Sequence, residues 1–167
     1  MLKDRVLVNG PLFDHYIHYG ITRNEFKPDL VREKGYARWR DPFLMKPQGF
    51  WGSPDGYDER TVYTWKTWCI GNDYRMDTLK YYMKFKIRKD ARILRIERLE
   101  DVGFFLREEC GNKILNQEKI QRCFDGMELY HGMGGKNYWM LHDGLFSSWD
   151  VDSICLWNPD VIEVEGE

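Results

Sequence analysis

The stretch His15-Tyr16-Ile17-His18-Tyr19-Gly20 decides how the chain is read. Tyr16, Ile17 and Tyr19 are aromatic or β-branched, the side chains that suit a pleated, half-buried surface. Gly20 then supplies a residue free to turn sharply. The run predicts a strand over 15–19. Just beyond it, Thr22-Arg23-Asn24-Glu25 places a hydroxyl cap three residues before a Glu, the pattern of a capping box. That opens a short helix, which ends before Pro28 or resumes after it through Leu30 and Val31.

Further strands follow from period-2 alternation. Tyr81, Met83 and Phe85 alternate with Tyr82, Lys84 and Lys86, Lys89-Asp90 interrupts, and a second run follows over 91–96. These read as two strands with a tight connection. A short strand is expected over 127–131, a Gly-rich turn over 132–135, and a strand over 151–157. Asn158-Pro159-Asp160 then makes a turn before a terminal strand over 161–164. Helices are expected over 59–69, despite the poor propensity of Thr61, Val62 and Thr64, and over 114–124. Another is expected over 99–109, with Val102, Phe105 and Leu106 facing inward. The segment 35–57 reads as a long ordered loop interrupted by a short strand. It holds Pro42, Pro47 and Pro54, four glycines, and the aromatics Tyr36, Trp39, Phe43, Phe50 and Trp51 that argue for packing. The sum is an α+β fold, a strand-rich core with a few short helices.

At 167 residues the chain has the length of one ordinary domain, so a single domain over 1–167 is expected. With 43% hydrophobic and 31% charged residues it has a globular composition, not a disordered one. The formal charge of -2, from 25 Lys+Arg against 27 Asp+Glu, argues against a generic polyanion binder. Aromatics at 16%, seven of them Trp, serve either a core built from large side chains or a surface that stacks on a ligand. No apolar run approaches the length of a membrane helix, and the N-terminal residues lack the pattern of a secretory signal. Cys69, Cys110, Cys123 and Cys155 fit no zinc spacing and read as free thiols of a reducing cytoplasm.

Three segments carry candidate chemistry. Ile17-His18-Tyr19-Gly20 offers an imidazole at the end of a strand, read either as a ligand contact or as a hydrogen-bonded core histidine. Gly49-Phe50-Trp51-Gly52-Ser53 offers a stacking ring between glycines that permit close approach. Its Ser can bond a ligand or cap the next helix. Trp149-Asp150-Val151-Asp152-Ser153 places two carboxylates at the start of an apolar strand, either on a cleft or as solvated turn residues. Trp65 and Trp68, three apart, either extend a cleft wall or pack into the core.

In that order, the three segments resemble the diphtheria-toxin-like branch of the ADP-ribosyltransferase superfamily, which includes the poly(ADP-ribose) polymerases. The family's hydrophobic-His-Gly motif is matched by Ile17-His18-Tyr19-Gly20 with one extra residue before the Gly. Trp51 stands where the family has Tyr, ahead of Ser53, and Asp152 stands where it has Glu. The resemblance implies a split, mostly antiparallel sheet and an NAD-dependent mono-ADP-ribosyltransferase that releases nicotinamide, of a kind found in toxin, phage or defence settings. It implies Asp152, His18 and Trp51 as catalytic residues, with Asp150 the other candidate acid. It implies His18, Tyr19, Gly20, Gly49, Phe50, Trp51 and Ser53 as NAD-binding residues. The partners it implies are NAD and a macromolecular acceptor, protein or nucleic acid. Two other readings stand beside it: an inactive member that keeps the fold, and an aromatic-rich binding module for a protein or nucleic acid.

Overall fold

A computed structural model of the chain describes residues 10–40, 46–58, 60–130, 146 and 149–166. The architecture is α+β. Its strands are β1 (Tyr16–Tyr19), β2 (Phe50–Pro54), β3 (Tyr82–Ile87), β4 (Ile93–Ile96), β5 (Leu106–Glu109), β6 (Asn112–Leu115), β7 (Gly126–Leu129), β8 (Ser153–Leu156) and β9 (Ile162–Val164). Its helices are α1 (Pro28–Tyr36), α2 (Trp65–Asn72) and α3 (Gln117–Cys123). Seven strands form one sheet in the order β4-β7-β8-β2-β1-β3-β9, and β5 and β6 form a separate hairpin. Every pairing in the large sheet is antiparallel except β4 with β7.

The alternation read in 81–86 becomes β3, whose Met83, Phe85 and Ile87 are buried while Tyr82, Lys84 and Lys86 face water. β3 and β4 follow one another in sequence but lie in opposite halves of the sheet, so the turn between them joins strands that never pair. The capping box at Thr22 and Glu25 forms, over a single 3-10 turn, and the helix resumes after Pro28, which sits in the first turn of α1 where its missing N–H costs nothing. The helix expected over 59–69 begins only at Trp65. Thr64 is its cap, and its side chain accepts from the Thr67 N–H.

The helix expected over 99–109 is a 3-10 segment (Leu99–Phe105) that gives way to β5. The reason is Cys110-Gly111. Both residues have positive φ, 52° and 79°, so they close a two-residue hairpin turn whose twist matches its strands. That turn also takes the first residues of the helix expected over 114–124 into β6, leaving α3 to start after the cap Asn116. The strand expected over 127–131 is β7, ending at Leu129, and the Gly-rich turn expected over 132–135 lies outside the described residues.

Two apolar clusters flank the sheet. One gathers Trp39, Leu94, Ile96, Phe105, Phe124, Met127, Leu129, Trp149 and Trp157. The other gathers Tyr16, Phe50, Met83, Phe85, Ile93, Ile154 and Leu156. Much of the aromatic excess is therefore core. Trp157 is fully buried, and its indole N–H donates to the Phe124 carbonyl at 2.7 Å. Among the described residues no helix is long and apolar enough to cross a membrane.

One carboxylate is sunk into the sheet. Glu128 on β7 accepts from the Tyr16 hydroxyl and from the Leu12 N–H at 2.8 Å, and so ties the segment before β1 to the opposite half. Burial pushes its carboxyl up to about 7, and the nearby Asp152 adds to the shift, against the pull of those hydrogen bonds and of Arg95. The folded state thus holds this proton after the unfolded chain has released it. The stability that Glu128 contributes is complete below pH 4.5, its ordinary value, and is lost as pH rises to about 7. The loss amounts to about 3 kcal/mol. Glu128→Gln cannot ionise; it keeps one acceptor oxygen, for Tyr16 or for Leu12 but not both, a cost that is the same at every pH. Urea unfolding at pH 5 and pH 8 should show the Gln variant gaining on wild type by about that amount at the higher pH. Parallel pH profiles would show that Glu128 is ionised in the fold throughout.

Candidate functional site

The sheet is weakest where β1 meets β2. β1 pairs with β3 over four residues, and β2 pairs with β8 over three, but β1 and β2 share only Tyr16↔Pro54 and Ile17↔Ser53. Beyond Ser53 towards Phe50 the two strands part. There the Trp51 carbonyl accepts from the His18 ring instead of a backbone amide, with Nδ1 2.6 Å from the oxygen. A carbonyl only accepts, so Nδ1 carries the hydrogen and Nε2 of the neutral ring is an acceptor. Burial holds His18 below its usual value and the Lys34 charge adds to this, against the Trp51 bond, so the ring is neutral at pH 7. The ring also stacks on Phe50, centroids 4.3 Å apart.

A cleft of about 290 Å³ opens at this parting. Ile17, His18, Tyr19 and Gly20 line it from β1 and the turn that follows. Trp51, Gly52 and Ser53 line it from β2, and Trp149, Asp150, Val151 and Ser153 line it from the start of β8. Trp65, Arg75, Thr78 and Lys46 complete the wall. The volume is close to the lower end for small-molecule sites, which run from roughly 300 Å³ upward. Its floor is fixed by aromatic contact and hydrogen bonds. Trp51 meets Trp149 edge to face at 4.9 Å, the Trp149 indole N–H donates to Ser153 Oγ at 2.6 Å, and Ser153 Oγ donates to the Val151 carbonyl at 3.1 Å. The Lys46 ammonium lies 5.4 Å from the Trp51 ring centroid.

Of the residues singled out in the sequence, His18, Tyr19, Gly20, Trp51 and Ser53 come together on this cleft. Gly49, Phe50 and Asp152 are not on its wall. Phe50 is buried beneath His18. Gly49 makes its close approach to β8, where a Cβ would stand 2.4 Å from the Leu156 carbonyl oxygen, and a Cβ on Gly52 would meet the Phe85 ring at 2.4 Å. Both glycines thus serve contacts inside the sheet. Asp152 is fully buried. Its N–H donates to the Tyr63 carbonyl at 2.9 Å, and its carboxylate accepts from the Tyr63 N–H at 2.8 Å. Among the described residues the carboxylate on the cleft is Asp150.

Asp152 and Ser53 share a positional job. Ser53 Oγ accepts from the Trp65 N–H at 3.1 Å, so the pair fixes the segment Tyr63–Trp65 that launches α2 and brings Trp65 to the cleft. Trp65 and Trp68 stack on one another, rings 5.1 Å apart at 11°, with Tyr74 set edge-on to both. They form neither a core pair nor a shared wall, since only Trp65 reaches the cleft. The long loop expected over 35–57 divides: Trp39 is core, Lys46 is on the cleft, and 41–45 lie outside the described residues. Sequence reasoning missed Arg75 and Thr78, which carry no motif and arrive through the geometry of a turn.

Comparisons with protein families, with curated proteins and with solved structures find no match to this chain.

The two aspartates are separable by stability alone. Asp152→Ala strips the Tyr63 N–H of its acceptor and should lower unfolding stability by about 1–3 kcal/mol. Asp150→Ala should stay within about 0.5 kcal/mol of wild type, as surface changes usually do. Chemical denaturation of the two variants checks this, and equal losses would refute the division of roles.

Proposed function

We propose that the chain is an NAD-dependent ADP-ribosyltransferase, that the parted strands β1 and β2 form the split of that fold, and that NAD is the substrate of the cleft between them. The observation that carries the reading is convergence. Residues 17–20, 51–53, and 149–151 with Ser153, from the three segments of the resemblance, line one cleft from three distant parts of the chain. The reading assigns the acid to Asp150 in place of Asp152, because Asp150 is the carboxylate on the wall.

The roles follow from the chemistry. The glycosidic bond between nicotinamide and C1′ of its ribose breaks, and nicotinamide leaves with the bonding pair. The sugar passes through an oxocarbenium-like state, an acceptor nucleophile bonds to C1′, and its proton is released. Asp150 accepts from the ribose 2′-hydroxyl and stabilises the positive charge as it develops on the sugar. His18 offers Nε2 as an acceptor to a ribose hydroxyl. Trp51, held edge-on by Trp149, gives the nicotinamide ring a face. The acceptor is a macromolecule, protein or nucleic acid.

A second reading rests on a separate observation. Ile70, Tyr74, Met76, Tyr81 and Tyr82 are all more than 40% exposed and lie in one stretch next to the cleft residues Arg75 and Thr78. Large exposed apolar groups gathered this way mark interaction surfaces, which favours a binding module. Calorimetry with NAD separates the two readings, since a module without a nucleotide site gives no heat. Nicotinamide release in the presence of a cell lysate separates a transferase from an inactive relative. Asp150→Asn should cut that release by roughly a hundredfold or more while NAD affinity changes little, as expected on losing one preorganised electrostatic group. Full activity in Asp150→Asn would remove the acid from this strand and the mechanism with it.

A further inference from the structure

The turn between α2 and β3 holds two non-glycine residues in the left-handed region: Asp73 at φ 48°, ψ 45° and Arg75 at φ 47°, ψ 38°. Asp73 has a structural reason to be there. It closes α2, its N–H turned back to the carbonyls of Cys69 and Ile70, and Asp is one of the residues that tolerates this conformation. Arg75 has no such reason. It precedes a 3-10 segment (Met76–Lys80) that needs no left-handed residue to begin, and Arg is not a residue that favours the conformation. The strain is held in place by Thr78, whose N–H and hydroxyl both donate to the Arg75 carbonyl, at 3.0 and 2.7 Å. A strained backbone that persists is characteristic of sites where a side chain must be aimed.

Arg75 and Thr78 both line the cleft. Among the described residues the charged side chains on its wall are Arg75, Lys46 and Asp150. Lys46 is engaged over the Trp51 ring. Arg75 makes no ion pair among the described residues, whereas seven other arginines there do, five of them with a carboxylate two to four residues away. A guanidinium with no carboxylate partner among the described residues, on a cleft wall where those residues supply two cations and one acid, matches an anionic ligand. Its planar fork suits the paired oxygens of a phosphate group.

We infer that Arg75 is the phosphate-binding residue of the cleft and takes the diphosphate of a dinucleotide whose nicotinamide riboside end lies towards Trp51 and Asp150. The inference rests on the reading of the cleft as a nucleotide site and adds to it a residue that no motif of the resemblance contains. It also explains the backbone: the left-handed turn aims the guanidinium at the ligand, and the fold bears the strain for that purpose.

Arg75→Gly tests it cleanly, because glycine relieves the strain as it removes the cation. Binding is read by quenching of tryptophan fluorescence, with NAD, ADP-ribose, inorganic pyrophosphate and nicotinamide riboside as probes. Stability is read by thermal unfolding without ligand. The expected result is a melting temperature equal to or above wild type. Affinity for NAD, ADP-ribose and pyrophosphate should fall roughly 10- to 100-fold, the range for losing a hydrogen bond to a charged group. Affinity for nicotinamide riboside, which lacks the diphosphate, should not change. Arg75→Lys should recover part of the affinity. The inference is overturned if NAD and pyrophosphate bind Arg75→Gly as they bind wild type, if nicotinamide riboside weakens equally, or if wild type binds none of the phosphate probes. If wild type binds pyrophosphate and ADP-ribose through Arg75 but neither binds nor cleaves NAD, the phosphate site stands and the transferase reading fails. If NAD is cleaved at an undiminished rate and affinity by Arg75→Gly, the transferase reading stands and the phosphate site fails.

Discussion

The hydrogen bond from the His18 ring to the Trp51 carbonyl is the constraint on which the site depends. A sheet is held together by backbone ladders, and two strands that part leave amides and carbonyls unpaired, at a cost if they are buried. Here the parting begins one residue after Ile17 pairs with Ser53, and the next exposed carbonyl is satisfied by a side chain. The imidazole spans a gap that a backbone amide no longer reaches. The two halves of the sheet stay joined while a space opens between them, and that space is the cleft.

The surrounding structure reinforces that opening from both sides. Behind β2, the Phe50 ring under His18 leaves the imidazole one packed face. In front, Trp51, Trp149 and Ser153 make a floor tied together by an indole hydrogen bond. To one side, Ser53 and Asp152 fix the chain that leads into α2. Across the whole sheet, Glu128 reaches from β7 to Tyr16 on β1 and to Leu12, a second link between the halves. A buried carboxylate is a costly way to join two strands. It also specifies register, since only one alignment brings Tyr16 and Leu12 to it together.

Asp150 and Asp152 show how two carboxylates at the entry of one strand take different places. The two aspartates are two residues apart, so regular alternation puts both on one face. But β8 begins only at Ser153, and the residues before it are bends in which alternation does not hold. Asp152 turns inward to the Tyr63 backbone and Asp150 outward to the cleft. Glycines 49 and 52 were subject to a similar ambiguity. A glycine in a strand signals the close approach of something, and the sequence does not say whether that is a ligand or, as here, a neighbouring strand and a phenyl ring.

What the sequence determines by itself is local. The alternation of β3, the aromatic run of β1, the capping box at Thr22, and the turn at Asn158, where the Asn side chain accepts from the Asp160 N–H, follow from side chains acting within a few residues. So does the α+β class. The tertiary structure alone decides what depends on partners far along the chain. β3 and β4 look like neighbours in sequence, yet their hydrogen bonds go to β1, β9 and β7, because sheet order is set by which apolar faces can be covered together. Leu99–Glu109 has a helical pattern, yet its last four residues pair as a strand, because a left-handed Cys110-Gly111 turn lets them fold back on 112–115. His18 reads as a histidine on a strand, but its tautomer comes from Trp51, 33 residues away. Arg75 has no signal in the sequence at all. Its place in the cleft comes with a left-handed backbone conformation that composition and periodicity cannot register.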